Sequence, residues 1–294
     1  MSNSWRHYLA KAGRSWIFRW ENRHRQFITK HFRLWCEDSE VLCHTNRNFV
    51  IYASPHDYIS HRIFFFHEYN SRLSDLIQYS LRPGYVCWDL GAERGWFSLL
   101  MASIVGSHGR VDAFEAYQPT HQKLVKNINE NHFHWVSAHN VGVGDKQGDF
   151  FFVPPHTDET KHISGGHKDC GGIGFVSKIQ TPSSIQIPII KLDDFANEQS
   201  LSRLDFIKAD IEGSELSAFM GAKYTIQTYK PALLVEYNEP ALQANNATVA
   251  DLDLFLRSLD YQIFSATSMQ VIDRNRIIVD PEQQDVLCIH QSKL

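Results

Sequence analysis

The chain has 294 residues, 43% hydrophobic and 21% charged, with a formal net charge of −4, a make-up that excludes disorder and suits one large α/β domain with appendages or two small ones. An acidic balance gives no overall attraction for nucleic acid, which needs clustered Lys and Arg against phosphates, and no apolar run reaches the roughly 20 residues that cross a bilayer. Five scattered cysteines without a C-x-x-C pair read as reduced thiols, and with no signal-peptide core at the N-terminus a cytoplasmic location is expected.

In chain order, residues 1–48 form a basic, aromatic, helical extension, with Arg6, Lys11, Arg14 and Arg19 among Trp5, Trp16 and Trp20. Such a segment either lies on an anionic membrane surface or caps the domain or a second copy in a homodimer; packing is the favoured reading, because aromatic stripes are usually core. Residues 49–294 form the main domain. From Tyr85 onward strand-like runs alternate with amphipathic windows, the pattern of βαβ units and a mostly parallel sheet. Strands are predicted at Tyr85–Leu90, Val111–Phe114, Trp135–Val143, Phe150–Val153, Ile185–Ile190, Phe206–Asp210 and Ala232–Tyr237. Helices follow Gly95, span Gln118–Asn131, and place Leu252, Phe255, Leu256 and Leu259 on one face. Tyr261–Ser265 and Val286–His290 close the sheet. The stretch 154–184, rich in Gly, His and Ser, is too long for a passive connection and is expected to be a substrate-facing lid.

The chemistry concentrates at the turn Asp89-Leu90-Gly91-Ala92-Glu93-Arg94-Gly95, followed by Phe97 in the first helical turn. Glycines there let backbone amides approach a ligand at a helix N-terminus. A dinucleotide fingerprint would place a glycine where Glu93 stands, so a pyrophosphate would meet a carboxylate. S-adenosylmethionine has no phosphate and carries a sulfonium and an α-amino group, which suits a turn bearing Asp89 and Glu93. Glu115, ending the next strand, has the spacing of a ribose-binding acid, Ala116 and Tyr117 border an adenine, and Asn140 and Val141 supply its other side. Two rival readings stand beside this one: a nicotinamide-dependent oxidoreductase, and a non-catalytic module acting through its basic arm.

Together with Asn140–Asp145, Leu192–Phe195 and the block Asp205–Leu216 (DFIKADIEGSEL), these motifs resemble the FkbM methyltransferase family over roughly residues 50–240. Arg82-Pro83-Gly84, Phe66–Tyr69 and Lys230–Tyr237 are similar to the family's flanking segments. The resemblance implies a Rossmann-like class I methyltransferase fold, with seven strands and an antiparallel final strand, that binds S-adenosylmethionine and methylates an oxygen of a small-molecule or glycan acceptor. The sequence departs from the family's usual pattern at Glu93-Arg94 and Ala116-Tyr117.

A hydroxyl is a poor nucleophile until a base or metal assists loss of its proton. Asp210 and Glu212 stand at a strand end as candidate catalytic carboxylates, and Lys208, two residues before Asp210, shares its side of the strand. Glu215, in the first turn of a helix, reads as structural support. Glu236, Asn238 and His167 are candidate substrate contacts. The histidines of the long loop match no zinc spacing, so a divalent metal has no support from the sequence.

Overall fold

The computed structural model describes residues 39–55, 58–153, 175–177, 180–272 and 284–294. The basic arm at 1–35 and the loop histidines His156, His162 and His167 with Cys170 lie outside the described residues. Among the described residues no helix is long and apolar enough to cross a membrane.

Two compact units divide the described chain after Ser71. In the first, β1 (Val41–His44) and β2 (Val50–Ala53) pair antiparallel and α1 (Tyr58–Phe66) follows. The Thr45 hydroxyl closes the hairpin on the Phe49 carbonyl at 2.7 Å, and Asn48 takes the left-handed φ of 64°, a conformation that asparagine tolerates better than most residues.

The second unit begins with α2 (Ser71–Ser80), β3 (Val86–Leu90), α3 (Trp96–Val105), β4 (Arg110–Phe114), α4 (Gln118–Glu130) and β5 (Val136–His139). It continues through β6 (Gly142–Val143), β7 (Gly148–Val153), β8 (Phe175–Ser177), β9 (Ile185–Ile190), α5 (Leu192–Glu198), β10 (Phe206–Ala209), α6 (Glu215–Gly221) and α7 (Lys223–Tyr229). It ends with β11 (Ala232–Tyr237), α8 (Glu239–Ala244), α9 (Val249–Ser258), β12 (Tyr261–Ser265) and β13 (Gln284–His290).

Seven of these strands form one sheet in the order β12-β13-β11-β10-β3-β4-β5. The pairs from β11 to β5 are parallel, and β13 runs antiparallel to both its neighbours. The expected mostly parallel sheet with a reversed final strand is therefore what the chain builds. One expected strand is different: Trp135–Val143 breaks at Asn140, whose side-chain amide donates to the carbonyls of Glu115 (2.9 Å) and Ala116 (3.1 Å). Beyond the break, β6 joins a separate sheet of order β6-β9-β7-β8, which also takes the runs expected at Phe150–Val153 and Ile185–Ile190. β8 lies within the stretch 154–184.

Strand alternation assigns the two faces of the large sheet. Trp88, Leu90, Phe114, Ile207, Leu233 and Val235 belong to one buried cluster with Phe195 of α5, Phe219 of α6, Ile226 of α7 and Leu252 and Leu256 of α9. Within it the Trp88, Phe114 and Phe195 rings meet edge to face at 5.1–6.2 Å, the geometry aromatic quadrupoles prefer. Burying each such side chain contributes about 1.5–3 kcal/mol. On the opposite face lies α3, WFSLLMASIV, which is apolar nearly all round and correspondingly buried. Asp89 and Lys208 point to that second face, as register partners on β3 and β10.

Candidate active site

The central strand β3 leaves the sheet through a turn that only glycine permits at its first position. Gly91 has φ 75°, and a Cβ built on it would lie 1.9 Å from the Asp210 carbonyl oxygen. The exits of β3 and β10 are thus in backbone contact. The amides of Gly91 and Ala92 both donate to Phe114 O at 3.0 Å, and Gly95, with φ 99°, ends the turn as the N-cap of α3 without a side chain to cap it. Glu93, φ 50°, folds back on its neighbour: its carboxylate accepts the Arg94 amide at 2.6 Å and pairs with the guanidinium at 3.1 Å. Arg94 is 1% exposed, and Asn127 holds its carbonyl at 2.8 Å. The charge of Glu93, which the sequence assigns to a cofactor's amino group, is therefore already paired within the protein.

Asp89 is likewise engaged. It is fully buried, accepts a hydrogen bond from the Ser98 hydroxyl, and lies 3.6 Å from Lys208 Nζ. Burial pushes its carboxyl above the usual range, opposed by Lys208. Lys208 is the hub of the site. Its ammonium, 4% exposed, is 3.3 Å from Asp210 Oδ2, donates to the Gly91 carbonyl at 3.3 Å, and stands 5.1 Å over the Phe97 ring. Burial alone would lower its proton affinity, yet Asp210 and Asp89 hold it above the ordinary lysine value. Phe97, placed by the sequence among cofactor contacts, is buried beneath this ammonium.

Past β10 the chain makes a tight turn in which Glu212 (φ 54°) and Gly213 (φ 94°) are both left-handed. The Oε2 of Glu212 is buried and meets no hydrogen-bond donor. Burial, Asp210 and Glu215 together push this carboxyl up to about 8. Asp210 is about one-third exposed, at 36%. Asp210 and Lys208 meet as their two-residue spacing implies.

Glu115, at the end of β4, accepts the amides of Glu93 and Tyr117, each at 2.9 Å. Burial first, then the charge of Glu93, pushes it up to about 7. Each oxygen keeps a further acceptor position for a hydroxyl. Asn140 spends its donors on the carbonyls after β4, Val141 packs against the core, and the Tyr117 ring lies 5.6 Å from that of Phe152. Asn238 caps α8 by accepting the Ala241 amide at 3.2 Å. Glu236 is 5% exposed and is the register partner of Asp285 across β11 and β13. Burial and Asp210 push Asp285 up to about 7, so it lies within electrostatic reach of the hub. Sequence reasoning missed Asp285, Ser98 and Asn245, because cross-strand register and helix packing bring them in and no motif contains them. Among the described residues no three His, Cys, Asp or Glu side chains group as metal ligands would.

The strand order differs from the dinucleotide-binding arrangement by the reversed β13 inserted between β11 and β12, and this defines the class as Rossmann-like methyltransferases. The chain belongs to the FkbM methyltransferase family: the model of the methyltransferase FkbM domain matches residues 89–263, more than half of its length. S-adenosylmethionine is the cofactor of that class, and two features of the site fit it: the α3 N-terminus has no side-chain cap, and each Glu115 oxygen keeps an acceptor position.

Among solved structures, the chain is similar to the FkbM methyltransferase from Methylobacillus flagellatus KT, with 19% identity, a TM-score of 0.41, and coverage of 79% of this chain and 55% of that one. This chain thus spans about half the length of that protein. It is also similar to the O-methyltransferase from Bacillus cereus in complex with SAH (12% identity, TM-score 0.41, 74% of this chain and 79% of that one). A third likeness is to a putative rRNA-methylase from Clostridium thermocellum (13% identity, TM-score 0.40, 75% of this chain and 95% of that one). No curated protein matches the chain.

Proposed function

We propose that this chain transfers the methyl group of S-adenosylmethionine to a hydroxyl oxygen of a small-molecule, sugar or natural-product acceptor. The observation that carries the reading is the buried Lys208 ammonium shared between Asp89, the Gly91 carbonyl and Asp210, which ties a strand-end carboxylate to the cofactor turn. When bound, the cofactor supplies an electrophilic methyl group on a sulfonium sulfur. The turn of Gly91, Ala92 and Gly95 would border its amino-acid end, Glu115 would hold its ribose, and Ala116 and Tyr117 would border its base. Lys208 fixes Asp210, which accepts the hydrogen bond of the acceptor hydroxyl and aligns its oxygen. Glu212, which burial, Asp210 and Glu215 push up to about 8, receives the hydroxyl proton through Asp210 as the new C–O bond forms and the sulfonium's S–C bond breaks.

The test is methyl transfer from labelled cofactor to cell extract, to defined polyols and to RNA, run separately. Label on the oxygen of a small hydroxyl compound is expected; label confined to RNA, to nitrogen or to carbon would overturn the acceptor class. In Asp210→Ala, turnover should fall by at least about 100-fold, the scale of lost acid–base and positioning assistance, while the cofactor still binds. Undiminished turnover in that variant removes Asp210 from the chemistry.

A further inference from the structure

A left-handed pair such as Glu212-Gly213 does not persist unless its surroundings enforce it. Gly213 meets the rule by lacking a side chain, since a Cβ there would lie 2.1 Å from the Ala241 carbonyl oxygen. Glu212 has no such freedom and is held from both sides. Its carbonyl accepts from Asn245 Nδ2 at 3.3 Å, and the same amide donates to Ala241 O at 3.1 Å. The flanking amides of Ile211 and Gly213 donate to one oxygen, Glu215 Oε1, at 2.9 and 3.3 Å.

Glu215 is fully buried. An acid in the first turn of a helix needs no such burial to interact with the helix dipole, and remains solvated where that is its only role. This side chain instead turns back and binds the Ile211 and Gly213 amides that precede the helix. The sequence reading of Glu215 as general support for α6 thus becomes more specific.

We propose that Glu215 is a positioning residue for methyl transfer: with Asn245 it clamps the Asp210–Gly213 turn, so that Glu212 keeps its left-handed backbone and directs its carboxylate toward Asp210 and Lys208. This rests on the proposed role of Asp210 and Glu212 in handling the acceptor proton. Without the clamp the Glu212 backbone relaxes to an ordinary φ and swings its carboxylate out of the cluster, while Gly91, Gly95 and Glu115 stay in place. Turnover falls and cofactor binding does not.

The test compares Glu215→Ala, Glu215→Gln and Asn245→Ala in the full chain, with turnover, cofactor affinity by calorimetry and amide hydrogen exchange. In Glu215→Ala the Ile211 and Gly213 amides should exchange at least about tenfold faster than in the wild type, as local opening without their acceptor implies. Turnover should drop about 30-fold or more, with the cofactor Kd within about threefold, the pattern of lost alignment rather than lost binding. Glu215→Gln keeps an oxygen that accepts both amides, so it should restore protection and most of the turnover. Asn245→Ala, which leaves no buried charge behind, should show the same pattern more weakly.

Amides that stay protected in both alanine variants overturn the clamp. So does a Glu215→Gln variant as inactive as Glu215→Ala, which would give the carboxylate a chemical duty. If Glu215→Ala does not fold, the Asn245→Ala and Glu215→Gln arms decide. Should Asp210→Ala retain turnover, the proton-handling reading fails separately, and amide exchange still judges the clamp.

Discussion

At the scale of single residues, the charges of the site are organised in pairs whose proton affinities differ. Glu115 is the sharpest case on the cofactor side, because its two oxygens already hold the Glu93 and Tyr117 amides in place. Glu115→Ala removes both the turn support and the proposed ribose acceptor, and calorimetry should show cofactor affinity weakened more than about tenfold, the scale of a lost charge-assisted pair. In the proposed reaction Glu212, pushed up to about 8, has to be ionised to receive a proton. Turnover should therefore rise with pH through about 8 and level off above it, and Glu212→Gln should lower the rate and flatten that rise. Initial rates between pH 6 and 9.5 check both. The residues behind these expectations were legible to different degrees. Lys208 and Asp210 follow from strand alternation in a single motif. The internal pairing of Glu93 with Arg94 was not legible, because the fold of a side chain onto its own successor depends on a left-handed φ that the letters do not reveal.

Elements show the same division. The strand–turn–helix units from β3 through α4 are written in local periodicity, and their bounds fall within a residue or two of the expected ones. The β1–β2 hairpin was not anticipated, because two four-residue strands give alternation too short a run to register. The break at Asn140 escaped for another reason: the apolar pattern continues across it, and what stops the strand is a side-chain amide bound to a loop 24–25 residues earlier in the chain. Helix α9 was legible through its apolar face, and its start is set by a reciprocal cap in which Thr248 and Asp251 exchange hydrogen bonds. Thr248→Ala should cost about 1 kcal/mol, read as a lower urea midpoint with an unchanged slope. A midpoint equal to that of the wild type would mean that packing of Leu252 and Leu256 alone fixes the helix.

For the molecule as a whole, four carboxyls, Glu215 buried and the other three half-buried, set a stability trend. Glu115, Glu215 and Asp285 are pushed up to about 7 and Glu212 to about 8, all above the values they have in an unfolded chain. Between those unfolded values and pH 8 the folded protein binds more protons than the unfolded one, so stability falls as pH rises through this window. The melting temperature of the cofactor-free protein should decline from pH 5 to pH 8, and Glu212→Gln should make the decline shallower. A melting temperature that climbs over this range would show that ion pairs elsewhere dominate. The sheet order and the reversed β13 give this cluster its location, by bringing β10, β11 and β13 side by side so that carboxyls distant in sequence share one desolvated neighbourhood. The motif residues Lys208 and Asp210 meet as strand alternation implies, whereas Asp285 was not legible, since register between β11 and β13 brings it in.

The contact between Gly91 and the Asp210 backbone leaves the two halves of the site no slack. In the proposed reaction the turn that meets the methyl donor and the turn that handles the acceptor's proton share this one seam, so neither can be retuned by sliding past the other. Any side chain introduced at Gly91 would then disturb both turns at once.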